Sequence, residues 1–130
     1  MHIKMFSQGT IMVVETNEPT AYLLDFLLSR EGYKVISVTN EELLHDSLQL
    51  SPPHLIILNS RLSYQQGNQL IGLCRAQPGW REIPILMLSS DYVSDEISSA
   101  LSAGANDYIV QPFQHAELIG QVGRHLHSLQ

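Results

Sequence analysis

The chain has 130 residues, one cysteine and a formal net charge of −6, with 7 Lys and Arg against 13 Asp and Glu. This length predicts one domain with its own core, and the acidic balance disfavours a DNA or RNA partner because it repels a phosphate backbone. One cysteine cannot form a disulfide within the chain, and no apolar stretch is long enough for a membrane span. We therefore expect a cytoplasmic protein with no nucleic-acid or membrane partner.

Five short apolar runs divide the sequence, and four of them are nearly continuous instead of alternating with polar residues. Continuous apolar runs of this length are typical of parallel strands that are buried on both faces of a sheet. The predicted strands are residues 11–14, 35–38, 55–58, 85–88 and 108–110. The segments between them have helical spacing, so strand and helix are predicted to alternate along the chain.

The first two helices are predicted from their spacing and from the residues at which they begin. The first is marked by four side chains with helical spacing, which are Leu23, Phe26, Leu27 and Arg30. Pro19 suits its opening turn, because proline is favoured at the first helical positions. The second helix begins at a predicted capping box, Thr39–Glu42. Its predicted apolar residues are Leu43, Leu44, Leu48 and Leu50.

The other three helices are bounded by residues that favour helix ends. The third runs from about residue 68 to residue 77, where Pro78 and Gly79 stop it. The fourth starts near Ser94 and ends at Gly104, which is predicted to close it in a left-handed conformation. The fifth, from about residue 114, carries Leu118, Ile119, Val122, Leu126 and Leu129. Five alternations of strand and helix predict a doubly wound α/β fold.

Polar side chains follow four of the predicted strands. They are Glu15, Thr16, Asn17, Asn59, Ser89, Ser90 and Gln111. In open parallel sheets, ligands bind at the carboxyl ends of the strands, near the point where the strand order reverses. We therefore expect these side chains to converge on one site.

Motifs along the chain resemble the receiver domain of two-component response regulators. The matching motifs are residues 11–15 (IMVVE), 31–35 (EGYKV), 53–59 (PHLIILN), Gly67, 83–89 (IPILMLS) and 104–113 (GANDYIVQPF). The resemblance implies a flavodoxin-like (βα)5 fold with strand order 2-1-3-4-5. We expect residues 1–9 to be an N-terminal extension and residues 10–130 to form the receiver-like domain, either standing alone or cut from a longer protein.

For an active member of this family, the resemblance implies a pocket of three carboxylates, a Mg²⁺ ion, a hydroxyl residue and a lysine. Two carboxylates follow the first strand, where this chain has Glu15 and Thr16. The third, which accepts the phosphoryl group, is replaced by Asn59, and the lysine is replaced by Gln111. Ser89 matches the hydroxyl residue. The resemblance therefore implies that most of the working groups are missing.

These replacements predict a degenerate receiver, or pseudo-receiver, that is not an enzyme. The Asn59 amide offers no anionic oxygen nucleophile, so it cannot form an acyl phosphate. Mg²⁺ prefers carboxylate oxygens, and only Glu15 remains an acid, so we expect Mg²⁺ binding to be weak or absent. The vestigial metal set is Glu15, Thr16 and Asn59. The pocket is predicted to be a hydrogen-bonded cluster of Thr16, Asn59, Ser89 and Gln111.

Three further residues complete the predicted site. Arg61 is predicted to reach back to Glu15 and neutralise it. Tyr108 matches the aromatic switch of the family, whose ring moves inward when phosphate arrives, and without phosphate it is predicted to pack. Pro112 follows the lysine position, where the family usually has a cis peptide bond, and a cis bond there would aim Gln111 at the pocket.

The leading hypothesis is a phosphorylation-independent module that binds other proteins. In the family, the fourth helix, the fifth strand and the fifth helix contact partners, which corresponds here to residues 94–103, 107–110 and 114–127. The predicted partner is a sensor kinase or another signalling protein, and a homodimer is a further prediction.

Two alternatives remain open from the sequence. One is a conventional phosphorelay receiver that uses Ser60, Ser89 or Ser90 as a substitute acceptor, although these hydroxyls lack an adjacent general base. Slow deamidation of Asn59 before Ser60 would also regenerate an aspartate. The other is a flavodoxin-type cofactor binder, which shares the architecture, but no Gly-rich or Ser/Thr-rich phosphate loop follows the first strand.

Overall fold

The computed structural model describes residues 8–62, 67–90 and 94–127, which form strands and helices in alternation. The strands are β1 (Thr10–Val14), β2 (Lys34–Val38), β3 (Leu55–Asn59), β4 (Ile85–Ser89) and β5 (Asp107–Val110). The helices are α1 (Glu18–Arg30), α2 (Glu41–Leu48), α3 (Gly67–Ala76), α4 (Ser94–Ala103) and α5 (His115–His127). Two predictions, residues 1–7 of the N-terminal extension and Leu129 of the last helix, lie outside the described residues.

All strand pairs are parallel, and their order is β2-β1-β3-β4-β5, as predicted. The order reverses at β1, because β2 lies on one side of it and β3 lies on the other. In such a sheet, the crevice at the carboxyl ends next to the reversal is the usual ligand site. The register places Val14 opposite Leu58 and Asn59 opposite Leu88, so residues that follow these strands meet at one edge.

Apolar clusters cover both faces of the sheet. One joins alternate strand residues, such as Ile57, to α1 and α5. The other joins the intervening strand residues, such as Leu58, to α2, α3 and α4. Burial on both faces explains why the strands are nearly continuous apolar runs, and it confirms the doubly wound fold. In the part of the chain that the structure describes, no helix is long and apolar enough to cross a membrane.

Helix α1 forms where the sequence predicts it, but it buries a different face. Its N-cap is Asn17, whose Oδ1 accepts from the backbone N–H of Thr20 at 3.0 Å. The buried residues are Ala21, Leu24 and Leu28. Leu23 is 46% exposed and Phe26 is 50% exposed, although both helped to predict the helix. The spacing of apolar residues predicts a helix, but two sets with the same spacing do not show which one faces the sheet.

Helix α2 starts one residue later than the predicted capping box requires. The N-cap is Asn40, not Thr39, and Asn40 Oδ1 accepts from the backbone N–H of Leu43 at 2.8 Å. Asn and Thr are both favoured N-caps, so composition alone did not separate them. The predicted capping box is therefore wrong. Of the predicted apolar residues, Leu44 and Leu48 are buried, whereas Leu43 and Leu50 are exposed.

Arg75, near the end of α3, links three segments at the amino end of the sheet. Its guanidinium donates to four backbone carbonyl oxygens, those of Trp80 (3.4 Å), Arg81 (2.9 Å), Ile83 (2.6 Å) and Gly104 (2.8 Å). It also donates to Asn106 Oδ1 at 2.9 Å. Gly104 has a φ of 122° and follows α4, as predicted for a helix-closing glycine. One side chain thus holds α3, the α3–β4 connection and the α4–β5 connection together.

Candidate functional site

The centre of the candidate site is a side-chain pair at the carboxyl ends of β1 and β3. Glu15 follows β1 and is only 1% exposed, and Asn59 is the last residue of β3. Asn59 Nδ2 donates to Glu15 Oε1 at 2.7 Å. The two residues come together because β1 and β3 are neighbours in the sheet. A buried carboxylate therefore has an amide as its direct partner.

The second oxygen of Glu15 and the amide oxygen of Asn59 also accept hydrogen bonds. The backbone N–H of Asn17 donates to Glu15 Oε2 at 3.2 Å. The backbone N–H of Arg61 donates to Asn59 Oδ1 at 2.8 Å. Buried polar groups are costly unless they are paired, so this arrangement stabilises both side chains. It depends on the amide, because an aspartate at position 59 would have no N–H to give to Glu15.

The ends of β4 and β5 lie at the same edge of the sheet. Ser89, the last residue of β4, is buried, and its carbonyl oxygen accepts from the backbone N–H of Gln111 at 2.7 Å. The Gln111–Pro112 peptide bond is cis, as the sequence predicts. Thr16 is half-buried directly after Glu15. All of the predicted strand-end residues thus lie at one edge, while a four-residue side-chain cluster remains a prediction.

Arg61 and Tyr108 lie at the margins of this site. The Arg61 residue is exposed, and its ion pair with Glu15 stays a prediction. Tyr108 is half-buried and packs against the apolar cluster on the α2, α3 and α4 side of the sheet. In β5 it lies opposite Met87 of β4. The packing of the ring is the behaviour predicted for Tyr108 without phosphate.

Gly67, the first residue of α3, has a structural role at the site that the sequence motif did not reveal. Its backbone N–H donates to the carbonyl oxygen of Ser60 at 3.0 Å. A Cβ atom here would lie 2.8 Å from Met87 Cε, 2.9 Å from Ser60 Cα and 3.0 Å from the Asn59 carbonyl oxygen. No side chain fits at these distances, so glycine lets α3 begin against the end of β3.

The charge of the described site is low. No group of three or more His, Cys, Asp or Glu side chains that could hold a metal occurs in residues 8–62, 67–90 or 94–127. The hydroxyl oxygen of Ser60 is buried, and no partner for it lies within those ranges. Glu15 is thus the acidic group at the centre of the site, and amide N–H groups satisfy both of its oxygens.

The fold agrees with a comparison against protein families. The sequence matches the family model for the response regulator receiver domain over residues 11–123. The chain belongs to this family. Receiver domains are signalling domains of two-component systems. The family match confirms the resemblance seen in the sequence, and the strand order of the sheet confirms the predicted topology.

The sequence of this chain is similar to those of known response regulators. It is 34% identical over 112 residues to the phosphate regulon transcriptional regulatory protein PhoB of Rhizobium meliloti (strain 1021), covering 86% of this chain and 49% of PhoB. The chain thus spans about half the length of the curated relatives it matches.

Two solved structures share both fold and sequence with this receiver domain. The receiver domain of a signal transduction histidine kinase from Syntrophus aciditrophicus is 29% identical, with a TM-score of 0.84 over 94% of this chain and 92% of that one. The receiver domain of sensor histidine kinase PA1611 from Pseudomonas aeruginosa PAO1 is 28% identical, with a TM-score of 0.83 over 92% of this chain and 98% of that one. The PA1611 domain has a magnesium ion coordinated in its active site cleft.

Proposed function

We propose that this receiver domain is not phosphorylated at position 59 and signals by binding another protein. The observation that supports this most strongly is the 2.7 Å hydrogen bond from Asn59 Nδ2 to Glu15 Oε1. Capture of a phosphoryl group needs an anionic oxygen, and position 59 offers a neutral amide whose own oxygen accepts from Arg61 N–H. A carboxamide at this position removes the nucleophile and supplies the N–H that pairs with Glu15.

The donor set does not fit Mg²⁺, in contrast to the PA1611 receiver domain. Mg²⁺ requires near-octahedral oxygen ligands and is usually held by one or two carboxylates together with substrate phosphates. Among the residues that the structure describes, the buried carboxylate of the site is that of Glu15, which accepts from Asn59 Nδ2 and Asn17 N–H. Binding the ion would break these contacts, and Asn59 brings no charge to replace them. We therefore propose weak or absent Mg²⁺ binding, and no step of the function uses the ion.

The neutral residues around the pair support the same proposal. Thr16 stands at the second carboxylate position, and Gln111 stands at the lysine position. A glutamine cannot act as a counter-ion to a phosphoryl group, although it can donate and accept hydrogen bonds. Without an acyl phosphate, any shift between two conformations must come from a partner that binds one of them more tightly.

The surface proposed for partners is formed by α4, β5 and α5. Asp107 of β5 accepts from the Arg124 guanidinium at 3.1 Å and lies 3.3 Å from His125 Nε2, so side-chain contacts fix α5 against β5. Leu101 of α4 is exposed. The proposed occupant is a sensor kinase or another signalling protein. A homodimer on this surface is the second form of the proposal.

Burial argues against two of the three substitute acceptors. Ser60 and Ser89 are 9% and 2% exposed, so neither hydroxyl is open to a phosphodonor in this conformation. Ser90 is exposed, which leaves it as the acceptor to check. Peptide mapping of any phosphorylated product would distinguish Ser90 from the other positions.

The test is incubation with acetyl phosphate and Mg²⁺, followed by intact-mass spectrometry. We expect no gain of a phosphoryl group by the wild-type chain. Asn59→Asp alone should also stay unmodified, whereas the combination of Thr16→Asp, Asn59→Asp and Gln111→Lys should gain one group. Phosphorylation of the wild type would overturn the proposal. Phosphorylation of Asn59→Asp alone would show that Thr16 and Gln111 matter less than proposed.

A further inference from the structure

The outer face of α1 carries two exposed aromatic side chains between opposite charges. Four residues at a spacing of four, Glu18, Tyr22, Phe26 and Arg30, form what we term the α1 ridge. Tyr22 is 75% exposed and Phe26 is 50% exposed. Single exposed apolar residues are ordinary, but adjacent exposed aromatics on one ridge mark a surface that other chains can cover.

A cation–π contact and a cleft lie next to the two aromatic side chains of the ridge. The Arg30 guanidinium lies 5.5 Å from the centre of the Phe26 ring, in a cation–π contact. A cleft of about 380 Å³ is lined by Tyr22, Asp25, Phe26, Ser29 and Arg30. Asp25 accepts from the Ser29 hydroxyl at 2.8 Å. The cleft thus has an aromatic wall and a basic end at Arg30. The acid of the ridge, Glu18, lies about three helical turns from Arg30, at the other end of α1.

The order of residues along the ridge reads acid, aromatic, aromatic, base. If a second α1 is laid antiparallel, with the two helices crossing at the level of residue 24, each Glu18 faces the other copy's Arg30. Each Tyr22 then faces the other copy's Phe26. Ridges formed by residues four apart are also those that most often interdigitate when helices pack. A two-fold axis therefore places opposite charges and aromatic side chains opposite one another at the same time, as a self-complementary interface requires.

We propose that the α1 ridge is a self-association surface, whose occupant is α1 of a second copy of this chain. The surface does not depend on the chemistry of the pocket, and it differs from the proposed surface of α4, β5 and α5. The area that one helix face per copy can bury falls below the roughly 1,200 Å² at the lower end of standard interfaces, so the dimer is weak. We expect a dissociation constant on the order of 100 µM.

The test is sedimentation equilibrium of the full chain from about 10 µM to about 1 mM. The weight-average mass of the wild type should rise towards that of a dimer. Glu18→Lys and Arg30→Glu should each weaken association roughly tenfold, because each places like charges opposite one another twice in the dimer. The double variant, Glu18→Lys with Arg30→Glu, should recover most of the association, because opposite charges face each other again while the Arg30–Phe26 contact is lost. Glu42→Lys on the exposed face of α2 is the matched control and should leave association unchanged.

A wild type that stays monomeric over this range would overturn the proposal and leave the ridge to a partner of another sequence. So would single reversals that associate as the wild type does, or a double variant no better than either single change. Circular dichroism checks that each variant is folded. If a charge reversal unfolds the chain, Tyr22→Ser replaces it, and this variant should also lose association because it removes the aromatic contact.

Discussion

At the amino end of the sheet, the cation of Arg75 is surrounded by carbonyl oxygens, whereas at the carboxyl end the anion of Glu15 is surrounded by N–H groups. Arg75 donates to four backbone carbonyls and to Asn106 Oδ1. Glu15 accepts from Asn59 Nδ2 and from Asn17 N–H. Each charge is thus balanced by neutral dipoles, although ion pairs are the more familiar solution for buried charges.

The difference between the two ends lies in what each arrangement leaves available for chemistry. Arg75 joins connections that precede β4 and β5, so its contacts serve the fold. The Glu15–Asn59 pair lies at the carboxyl ends of β1 and β3, and both oxygens of Glu15 already accept hydrogen bonds there. Hydrogen bonds to a charged group thus join connections of the fold at the amino end, whereas at the carboxyl end they engage the buried carboxylate of the candidate site.

The largest expected effect is at the amino end. Arg75→Ala should lower the free energy of unfolding by about 3–4 kcal/mol, because it removes five hydrogen bonds and leaves half-buried acceptors unpaired. Urea denaturation followed by circular dichroism measures the change. Arg81→Ala, which removes an exposed arginine from the same connection, should cost less than about 0.5 kcal/mol. Equal losses for the two variants would mean that the Arg75 contacts are not what stabilises this end.

At the carboxyl end, Asn59→Asp should be the informative change. It replaces an N–H donor with a second carboxylate next to buried Glu15, and we expect a loss of about 2–3 kcal/mol at neutral pH without divalent ions. Mg²⁺ should recover part of this stability in the variant but none in the wild type. Thermal melts with and without Mg²⁺ measure both effects.

Asn40→Asp is the matched control for that substitution. Asn40 is an exposed N-cap, where aspartate caps a helix as well as asparagine does and its charge suits the helix dipole. The control should therefore be neutral or slightly stabilising. A loss at position 59 no greater than at position 40 would show that the Glu15 contact contributes little.

The sequence predicted the fold because its main signal, short continuous apolar runs separated by segments with helical spacing, follows directly from burial of the sheet on both faces. The predicted buried face of α1 was wrong, since Leu23 and Phe26 have the same spacing as the residues that face the sheet but are exposed. Strand-end positions correctly placed Glu15 and Asn59 at one edge. The bond between them could not be predicted, because side-chain rotamers depend on the packed structure. Arg75 was missed because a basic residue near a helix end ordinarily interacts with the helix dipole.

The buried thiol of Cys74, next to Arg75, gives a prediction for alkaline pH. Burial raises the pKa of Cys74 from 9.0 to about 11. A raised pKa in the folded state gives stability that is complete below pH 9 and is lost as pH rises through about 11. We expect the free energy of unfolding to fall by about 2 kcal/mol over this window. Urea denaturation at a series of pH values measures it.

Cys74→Ala separates this effect from other groups that titrate in the same range. Burial also raises the pKa of Tyr33, which acts in the same direction. The alanine variant should keep only the remaining pH dependence, although it should be slightly less stable at neutral pH because a small cavity forms. An identical pH dependence in the variant would rule out Cys74 as the cause.

The smallest expected effects come from two glycines of α3, Gly67 at its start and Gly72 within it, that have different surroundings. Gly67→Ala places a methyl group within 3.0 Å of the β3 backbone and should cost about 1–2 kcal/mol. Gly72→Ala meets nothing within 4 Å at an exposed position of the same helix, so it should stabilise the chain by about 0.5–1 kcal/mol. In thermal melts, the melting temperature should fall for Gly67→Ala and rise for Gly72→Ala if close contact at Gly67 holds α3 against the site. A gain in both variants would mean that α3 can move away from β3 at little cost, and the carboxyl end would then be less rigid than the amino end.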